Sequence, residues 1–328
     1  MRSVARVPRM ARLTATLLVL LAVTAAACRG AAQKGLEQRT IRLTTGWPGG
    51  FFNPLGRALV SIYSKAMPDL AFQVVPSGGA INNLELLQRG EADLGVAFAD
   101  VAYLAFVGRL DKRSIPFDHL RAVAVLQPTA VHVLVRPSLH ITSIHHLRGR
   151  RVALGPSGSG TAATAVVLLE AFRLSPADVH GQHLPFMDAA NQVSAGQLDA
   201  AFVSAGYPVE SVQRATRAGA DLLEVSGPVV ERLRANYPFL RAVLIPSGTY
   251  PSLRRAVHTV GIHTVLACSA DLDEMVVYRL TKTFFAALPE LAVRVGALRR
   301  VDLARAPATP IPLHSGAARY YRERELFR

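Results

Sequence analysis

The chain has 328 residues, 50% of them hydrophobic, a formal net charge of +14 and two cysteines. This length and composition provide for roughly two domains, and two cysteines exclude a disulfide-stapled fold, so the fold must depend on its apolar core. The basic residues form no stripe that alternates with stacking aromatics, which argues against nucleic-acid binding, although a positive surface favours small anions.

The first residues are typical of an export signal. Four arginines lie between Arg2 and Arg12, and an uncharged stretch follows from Leu13 to Ala27. This layout predicts a secretory signal peptide over residues 1–27, and no later apolar run is long enough to span a membrane. Cys28 fits lipoprotein processing, but the preceding alanines also fit an ordinary A-x-A cleavage signal, so lipidation of Cys28 stays open. We expect residues 28–39 to form a flexible tether and the protein to be extracytoplasmic.

A strand and a glycine-rich loop open the folded part. The pattern predicts a strand over Ile41–Thr45, the loop "GWPGGFF", a helix over Pro54–Met67 and a strand over Ala71–Val75. The loop "PSGGAINN" follows, with a helix over Ala80–Gln88 that Gly90 terminates and a strand over Leu94–Phe98.

The second half of the chain repeats this plan. A strand over Arg151–Leu154 precedes the loop "GPSGSGT" and a helix over Thr161–Arg173, and His183–Pro185 occupies the place of the next strand. Gly196 and Asp199 are then spaced as Gly90 and Asp93 are. The alternation of strands and helices predicts an α/β fold in which each half is a mostly parallel sheet flanked by helices.

Two long extended segments, Arg121–Pro137 and Val257–Cys268, flank the second half. They predict two strands that cross between two lobes and form a hinge, so that C-terminal helices over Asp271–Ala287 and Glu290–Leu298 return to the first lobe. We therefore expect lobe I to contain residues 40–127 and 260–328, and lobe II to contain residues 128–259. A cleft with a ligand site follows, because open α/β sheets bind ligands at the carboxyl ends of their strands.

The loop before Thr161 has the chemistry of an anion site. Backbone N–H groups and the hydroxyls of Ser157, Ser159 and Thr161 can converge on a carboxylate or phosphate at the start of a helix. The alternative is a helix N-cap that binds no ligand. A nucleotide P-loop is excluded because no Gly-Lys-Ser/Thr follows, and a serine-hydrolase elbow because Ser159 replaces its last glycine.

Opposite this loop we expect Gly49, Gly50, Gly78, Gly79 and Asn82, since glycines allow close backbone approach and Asn82 can donate and accept hydrogen bonds. Phe51 and Phe52, together with Trp47, either start the core of a helix or wall the cleft and exclude water. Asp100 and Tyr103 follow the strand ending at Phe98 and are placed to reach the rim of the cleft. The alternative for Asp100 is that it caps the next helix. The histidines have no metal-ligand spacing, and no pair of carboxylates or activated nucleophile indicates an enzyme.

The stretches "TTGWPGGFFNPLGRAL", "PSGGAINNLELLQRGEADLGVAFADVAY", "GQLDAAFVSAGYP", "IPSGTYP" and "IPLHSGAARYYRE" resemble the TAXI-type solute receptors of tripartite ATP-independent periplasmic (TRAP) transporters. The resemblance implies a type II periplasmic-binding-protein clamshell that binds a small carboxylate or amino acid and delivers it to TRAP permease subunits. It implies a monomer without cofactor or metal. A sensory protein that reports the ligand to a membrane signalling partner is the alternative.

In that family Phe51 and Phe52 correspond to tyrosines, and Trp47-Pro48 to glycine-threonine. The loss of hydroxyls predicts a dry aromatic wall and a more apolar or aromatic carboxylate as ligand. The expected ligand-binding residues are Trp47, Gly49, Gly50, Phe51, Phe52, Ser77, Gly78, Gly79, Asn82, Asp100, Tyr103, Ser157, Ser159, Gly160, Thr161, Ser204 and Gly206.

Overall fold

A mixed sheet flanked by helices organises the computed structural model, which describes residues 38–46, 51–110, 115–237, 239–251 and 253–326. The strands are β1 Thr40–Thr44, β2 Ala71–Val75, β3 Leu94–Phe98, β4 Leu120–Val135, β5 Arg151–Ala153, β6 His180–Gln182, β7 Ala200–Ala205, β8 Asp221–Leu222, β9 Leu240–Ile245 and β10 Val257–Ser269. The α-helices are α1 Phe52–Ala66, α2 Ala80–Gln88, α3 Ala99–Phe106, α4 Gly160–Ala171, α5 Phe186–Ser194, α6 Glu210–Arg217, α7 Pro228–Asn236, α8 Glu274–Ala286, α9 Leu288–Arg294 and α10 Ser315–Glu323.

The strand order is β2-β1-β3-β10-β4-β7-β5-β6, with β9 paired to β10 and β8 to β4. Strands β2, β1 and β3 are parallel, as are β7, β5 and β6, while β10 and β4 run antiparallel between these two groups. We call the β2-β1-β3 group with its helices the first lobe, and the β7-β5-β6 group with its helices the second lobe. The predicted α/β fold class is confirmed, with the two parallel strand groups and the two crossing strands forming one continuous mixed sheet. The residue bounds predicted for the lobes stay a prediction.

The core follows from the sequence of the inner strands. Every residue of β3 and β7 is buried, because helices cover both faces of a parallel sheet and its strands become continuous apolar runs. Helix α1 turns one face inward, with Leu55, Leu59 and Tyr63 fully buried. Among the described residues, no helix has both the length and the apolar content needed to cross a membrane.

The same arginine–aspartate contact occurs in both lobes. Arg42 Nε lies 2.9 Å from Asp93 Oδ2, and its Nη2 donates to the carbonyl of Gly90 at 2.8 Å. Arg151 Nη2 binds Asp199 Oδ1 at 2.8 Å and the carbonyl of the glycine three residues earlier at 2.9 Å. The repeated Gly-x-x-Asp spacing therefore reflects a repeated tie between the first strand of each lobe and the turn that precedes its third strand.

The two crossing strands are irregular where they pass between the lobes. His263 of β10 pairs with Pro128 of β4, but Val265 pairs with Val125, so the register shifts between them. Pro128 lacks an N–H donor, and an irregularity of this kind is a usual place for proline in a strand.

Three predicted elements differ from the structure by more than two residues at one end, and the others by at most two. The second strand of the second lobe is His180–Gln182, where it pairs with β5, and not His183–Pro185, because Pro185 has no N–H to continue a ladder. The helix predicted from Asp271 begins at Glu274, since the Asp273 side chain accepts the N–H of Val276 at 3.0 Å and caps it. The final predicted helix divides into α9 and a 3₁₀ turn over Gly296–Arg300.

Candidate functional site

A cavity of 170 Å³ lies between the lobes, and we call it the cleft cavity. Its walls come from the loops at the carboxyl ends of strands in both lobes. They are formed by Gly46, Phe51, Phe52, Gly78, Gly79, Ala80, Phe98, Pro156, Ser159, Gly160, Thr161, Pro185, Phe186, Met187 and Ser204.

Four helices of the described chain begin at this cavity. Phe52, Ala80, Gly160 and Phe186 line it, and each is the first residue of its helix. No side chain caps α1, α2 or α5, whereas Ser159 caps α4 through its hydroxyl. Each helix N-terminus carries roughly half a positive unit charge and exposes N–H groups without helical partners. The helix N-termini therefore contribute positive potential to the cavity, although its lining has no basic side chain among the described residues.

Aromatic rings form much of the cavity wall. The ring centroid of Phe52 lies 5.2 Å from that of Phe98 and 6.2 Å from that of Phe51, both at edge-to-face angles of 67°. Phe186 and Met187 line the same space from the second lobe. Edge-to-face packing holds the rings in place, so the cavity offers a rigid apolar surface to a ligand.

Ser204, at the end of β7, has an unusual position for a polar group. It is 3% exposed, lines the cavity, and its Oγ has no hydrogen-bond partner within the described part of the chain. A buried hydroxyl without a partner costs about 1–3 kcal/mol. A ligand oxygen in the cavity would supply the missing partner.

The two lobes touch closely at the cavity. The backbone N–H of Ile81 donates to the carbonyl of Gly158 at 3.3 Å. A Cβ added to Gly160 would lie 2.3 Å from Phe98 Cδ2, and one added to Gly79 would lie 3.3 Å from the Cα of Ser159. Gly79 also has a φ of 118°, which favours glycine. These glycines permit an approach of the lobes that side chains would prevent.

Asp100 lies beside the cavity and does not line it. It is 3% exposed in the first turn of α3, where its Oδ1 accepts the N–H of Val101 at 2.7 Å. Its Oδ2 lies 3.1 Å from the hydroxyl of Thr164 on α4, so the carboxyl joins the two lobes. Burial, only partly offset by these hydrogen bonds, raises the pKa of Asp100 to about 6.

Ser77 and Asn82 shape the loop before α2. Ser77 Oγ donates to the carbonyl of Thr45 at 3.0 Å and accepts the N–H of Gly79 at 3.1 Å. Asn82 Oδ1 accepts the N–H of Gly78 at 3.1 Å. Neither side chain lines the cavity, because both are engaged by their own loop.

The other predicted residues separate into two groups. Phe51, Phe52, Gly78, Gly79, Ser159, Gly160, Thr161 and Ser204 line the cleft cavity. Ser157 is exposed and Tyr103, 38% exposed, lies in a second cavity beside the crossing strands. Gly206 lies in a groove near the 3₁₀ turn, where its Cβ would meet that of Ala297 at 2.8 Å. Their roles in ligand binding stay predictions.

Some predictions fall on residues outside the described part of the chain. The signal peptide and Cys28 lie in residues 1–37, and Trp47, Gly49 and Gly50 lie in residues 47–50. They stay predictions.

The sequence did not point to Phe98, Pro185, Phe186 or Met187. The internal repeat contained the signal for three of them, since Pro185–Met187 start α5 just as the glycines of "PSGGA" start α2. Phe98 is the last residue of β3, at the edge where the other lining loops lie. Position in the repeat was therefore more informative than residue type.

Among the described residues, no group of three or more His, Cys, Asp or Glu side chains could hold a metal ion. His132 is the most buried histidine, and both of its ring nitrogens are occupied by hydrogen bonds within the core. Its Nδ1 lies 3.1 Å from the carbonyl of Val203, and its Nε2 lies 2.8 Å from the hydroxyl of Tyr250. A carbonyl only accepts, so Nδ1 carries the proton and Nε2 accepts from Tyr250. Burial lowers the pKa of His132 to about 4.

Two groups of parallel strands joined by two crossing strands, with helix N-termini at a cavity between them, form the two-lobed fold of periplasmic binding proteins. The model of the NMT1-like family matches residues 43–324, and the chain belongs to that family.

Solved structures share the fold at low sequence identity. MatC from Rhodopseudomonas palustris, solved with bound malate, has a TM-score of 0.57 and 17% identity over 89% of this chain and 99% of its own. The periplasmic binding protein BugD has a TM-score of 0.56 and 15% identity over 87% of this chain and 94% of its own. A structure described as a periplasmic transporter has a TM-score of 0.54 and 15% identity over 89% of this chain and 95% of its own.

The assignment to TAXI-type receptors is wrong. The matching family is NMT1-like, and the structural neighbours include the periplasmic binding protein BugD and the malate-bound MatC. The glycines that suggested the assignment include Gly79 and Gly160, which permit close approach of the lobes at the cleft, and this steric requirement does not depend on membership of the TAXI family.

Proposed function

We propose that this protein is an extracytoplasmic solute-binding receptor that captures a small monocarboxylate with an apolar body and delivers it to a membrane permease. The observation that carries the proposal is the convergence of four helix N-termini, among the described residues, on a cavity walled by aromatic rings.

In this proposal the helix N-termini bind the carboxylate of the ligand. Their N–H groups and partial positive charges favour an anion, and the unpartnered hydroxyl of Ser204 can donate to one of its oxygens. None of the described lining residues is charged, so a second carboxylate in the cavity would lack a counter-ion. That favours a single negative charge. The malate bound to MatC is also a carboxylate but has two such groups, so the single charge proposed here rests on the lining of this chain alone.

In this proposal the aromatic rings of the cleft cavity pack against the apolar part of the ligand. Apolar protein cavities of about 150 Å³ bind benzene, and the cleft cavity has 170 Å³. Burying about 100 Å² of apolar ligand surface contributes about 2.5 kcal/mol, equivalent to roughly 50- to 100-fold in affinity. An aromatic acid should therefore bind more tightly than a polar acid of equal size.

Isothermal titration calorimetry with phenylacetate and glutamate tests this preference, since the two acids have the same number of non-hydrogen atoms. We expect phenylacetate to bind more tightly. Changing Phe51→Tyr together with Phe52→Tyr should reduce the affinity ratio, because the added hydroxyls make the wall more polar. The matched control is Phe72→Tyr with Phe117→Tyr, since both rings are partly buried and neither lines the cavity.

Tighter binding of glutamate, or an affinity ratio that the cavity pair and the control pair change equally, would contradict the aromatic wall. We also expect the acid to be released unchanged, because the described lining residues include no general base beside a nucleophile. Nuclear magnetic resonance spectra of the acid before and after incubation with the protein test this expectation.

The proposed location is tested by cell fractionation. Protein expressed with residues 1–27 should appear outside the cytoplasm, and protein without them should remain inside. Equal distributions would argue against an export signal. Uptake of labelled acid into vesicles that contain a candidate permease, with and without the receptor, tests delivery.

A further inference from the structure

A second cavity, of 820 Å³, lies beside the crossing strands and differs from the cleft cavity in charge. We call it the basic cavity. It is lined by Arg234 at the end of α7, Arg241 on β9, His263 on β10, Arg305 and Tyr103 of α3. None of its described lining residues is an aspartate or glutamate.

The basic cavity is separate from the cleft cavity. The two share no lining residue, and the junction of β3 with α3 divides them, since Phe98 lines the first and Ala99 lines the second. A charged ligand of the basic cavity therefore does not compete for the apolar wall. The inference below is independent of the proposed function.

The arginines of this cavity are incompletely neutralised. Arg241 makes no ion pair with any residue that the structure describes. Arg234 Nη1 binds Glu231 at 2.8 Å, yet its Nε is buried without a hydrogen-bond partner in the described chain. Within the described residues Arg305 has a single ion pair, to Asp302 at 3.5 Å, and its side chain is 80% exposed. Each arginine therefore retains donors for a ligand.

His263 indicates the electrostatic potential inside the cavity. Its pKa is lowered, first by burial and then by the positive charges of Arg241 and Arg305. Both guanidinium groups therefore lie close enough to this imidazole to disfavour its protonated form. Two like charges facing one space repel each other until an anion lies between them.

We infer that the basic cavity binds a small multivalent oxyanion, with Arg234, Arg241 and Arg305 as its donors. Planar guanidinium groups bind phosphate or carboxylate oxygens through paired hydrogen bonds, and several arginines match several anionic groups. A monovalent anion would leave part of the repulsion uncompensated. The lining comes from α3 of the first lobe and from α7 and β9 beyond the crossing strands, so a bound anion would link elements from both ends of the hinge.

Calorimetry with pyrophosphate, citrate and acetate at constant ionic strength tests the inference. Tighter binding of pyrophosphate would indicate a phosphate ligand, and tighter binding of citrate would indicate a polycarboxylate. Acetate measures the contribution of a single negative charge. We expect at least one multivalent anion to bind more than tenfold more tightly than acetate. Changing Arg241→Gln together with Arg305→Gln should weaken that binding at least tenfold.

The control is Arg217→Gln with Arg322→Gln, which removes the same charge from exposed positions outside the cavity. It should leave binding within twofold of the parent. Melting temperatures of both variants check that each is folded. In histidine nuclear magnetic resonance titrations, the multivalent anion should raise the pKa of His263 in the parent and in the control, but not in the cavity variant.

The inference is overturned if neither pyrophosphate nor citrate binds more tightly than acetate, and two further results would also overturn it. One is equal weakening of anion binding by the cavity and control variants, which would mean that net charge alone attracts the anion. The other is anion binding that leaves the titration of His263 unchanged, which would place the anion elsewhere.

Discussion

Adding one methyl group to Gly160 should oppose the contact between the lobes while leaving each lobe folded. Gly160 is the first residue of α4, and a Cβ there would lie 2.3 Å from Phe98 Cδ2 and 2.9 Å from Phe98 Cε2. The ring cannot yield freely, since Phe98 is 5% exposed and packs against Phe52 at a centroid distance of 5.2 Å. The Gly160→Ala variant must therefore displace a packed ring or separate the lobes.

The cost follows from packing. Forcing an extra carbon into a filled core typically costs about 1–3 kcal/mol. If a ligand requires the lobes in contact, this cost lowers its apparent affinity by roughly 5- to 150-fold. Alanine also restricts the unfolded chain and stabilises a helical position by about 0.5–1 kcal/mol relative to glycine. The control is Gly296→Ala. Gly296 is also the first residue of a helical turn, so the control shares this backbone effect, and its added Cβ would meet nothing within 4 Å.

The assay combines calorimetry with small-angle X-ray scattering. We expect Gly160→Ala to weaken phenylacetate binding and to increase the radius of gyration, and Gly296→Ala to change neither. Adding Phe98→Ala to Gly160→Ala should create space for the new methyl group. The two substitutions should then show a favourable coupling energy in a double-mutant cycle.

Parent-like affinity and radius of gyration in Gly160→Ala would refute the close approach of α4 to β3. Absence of coupling with Phe98→Ala would refute the claim that this ring is the obstacle. A lower melting temperature without a change in radius would indicate strain within a lobe.

Three further predictions concern buried polar groups. Asp100→Asn should be more stable than the parent near pH 7 and lose that advantage by pH 4, a change of about 3 kcal/mol in urea unfolding, because the pKa of Asp100 is about 6 against an ordinary 3.8 and the parent gains stability on protonation. His132, with a pKa of about 4 against an ordinary 6.5, contributes with the opposite sign, so the free energy of unfolding falls as the pH decreases below 6.5. Asp100→Asn keeps this effect and lacks the opposing effect of Asp100, so it should be more acid-sensitive than the parent. Equal pH slopes in the two proteins would contradict the Asp100 prediction, and an unfolding free energy of Asp100→Asn that does not fall between pH 6.5 and pH 4 would contradict the His132 prediction. Ser204→Ala should stabilise the free protein by about 1 kcal/mol or more and weaken carboxylate binding at least fivefold, and a destabilised variant with unchanged affinity would mean that the hydroxyl has a structural partner. Asp199→Asn should lower the unfolding free energy by about 1–3 kcal/mol at pH 7, since an arginine hydrogen bond stabilises the Asp199 carboxylate and lowers its pKa. This stabilisation is present above the ordinary carboxyl pKa and is lost as the pH falls through the lowered pKa. The control is the exposed Asp302→Asn, which should change the unfolding free energy by less than about 1 kcal/mol.

The order of the repeated elements and the two-lobed plan could be read from the sequence, but α6, β8, α7, β9 and α10 were not predicted. Hydrophobic periodicity and glycine stops are local properties of the chain, so strands such as Ala71–Val75 and Leu94–Phe98, and the helix Ala80–Gln88, were predicted with the bounds that the structure has. The repeated Gly-x-x-Asp spacing indicated that the halves share one topology. The long extended segments indicated the crossing strands.

Within the candidate site, the sequence indicated the right loops but not the right side chains. Ser77 and Asn82 have the residue types of ligand contacts, and yet they bind their own loop, because the direction of a side chain depends on the turn that holds it. Phe98 looked like an ordinary end of a buried strand. Only the packing of one lobe against the other brings its ring to Gly160.

The tertiary structure also decided how charge is distributed between the two cavities. Arg241 and Arg305 are distant in sequence, and no local pattern relates them to each other or to His263. The sequence determined which elements form, because backbone propensity and amphipathic spacing act over a few residues. The apolar cleft, the unpartnered Ser204 and the basic cavity depend on contacts between loops far apart in the chain, and those contacts exist only once the sheet has set the positions of the strands.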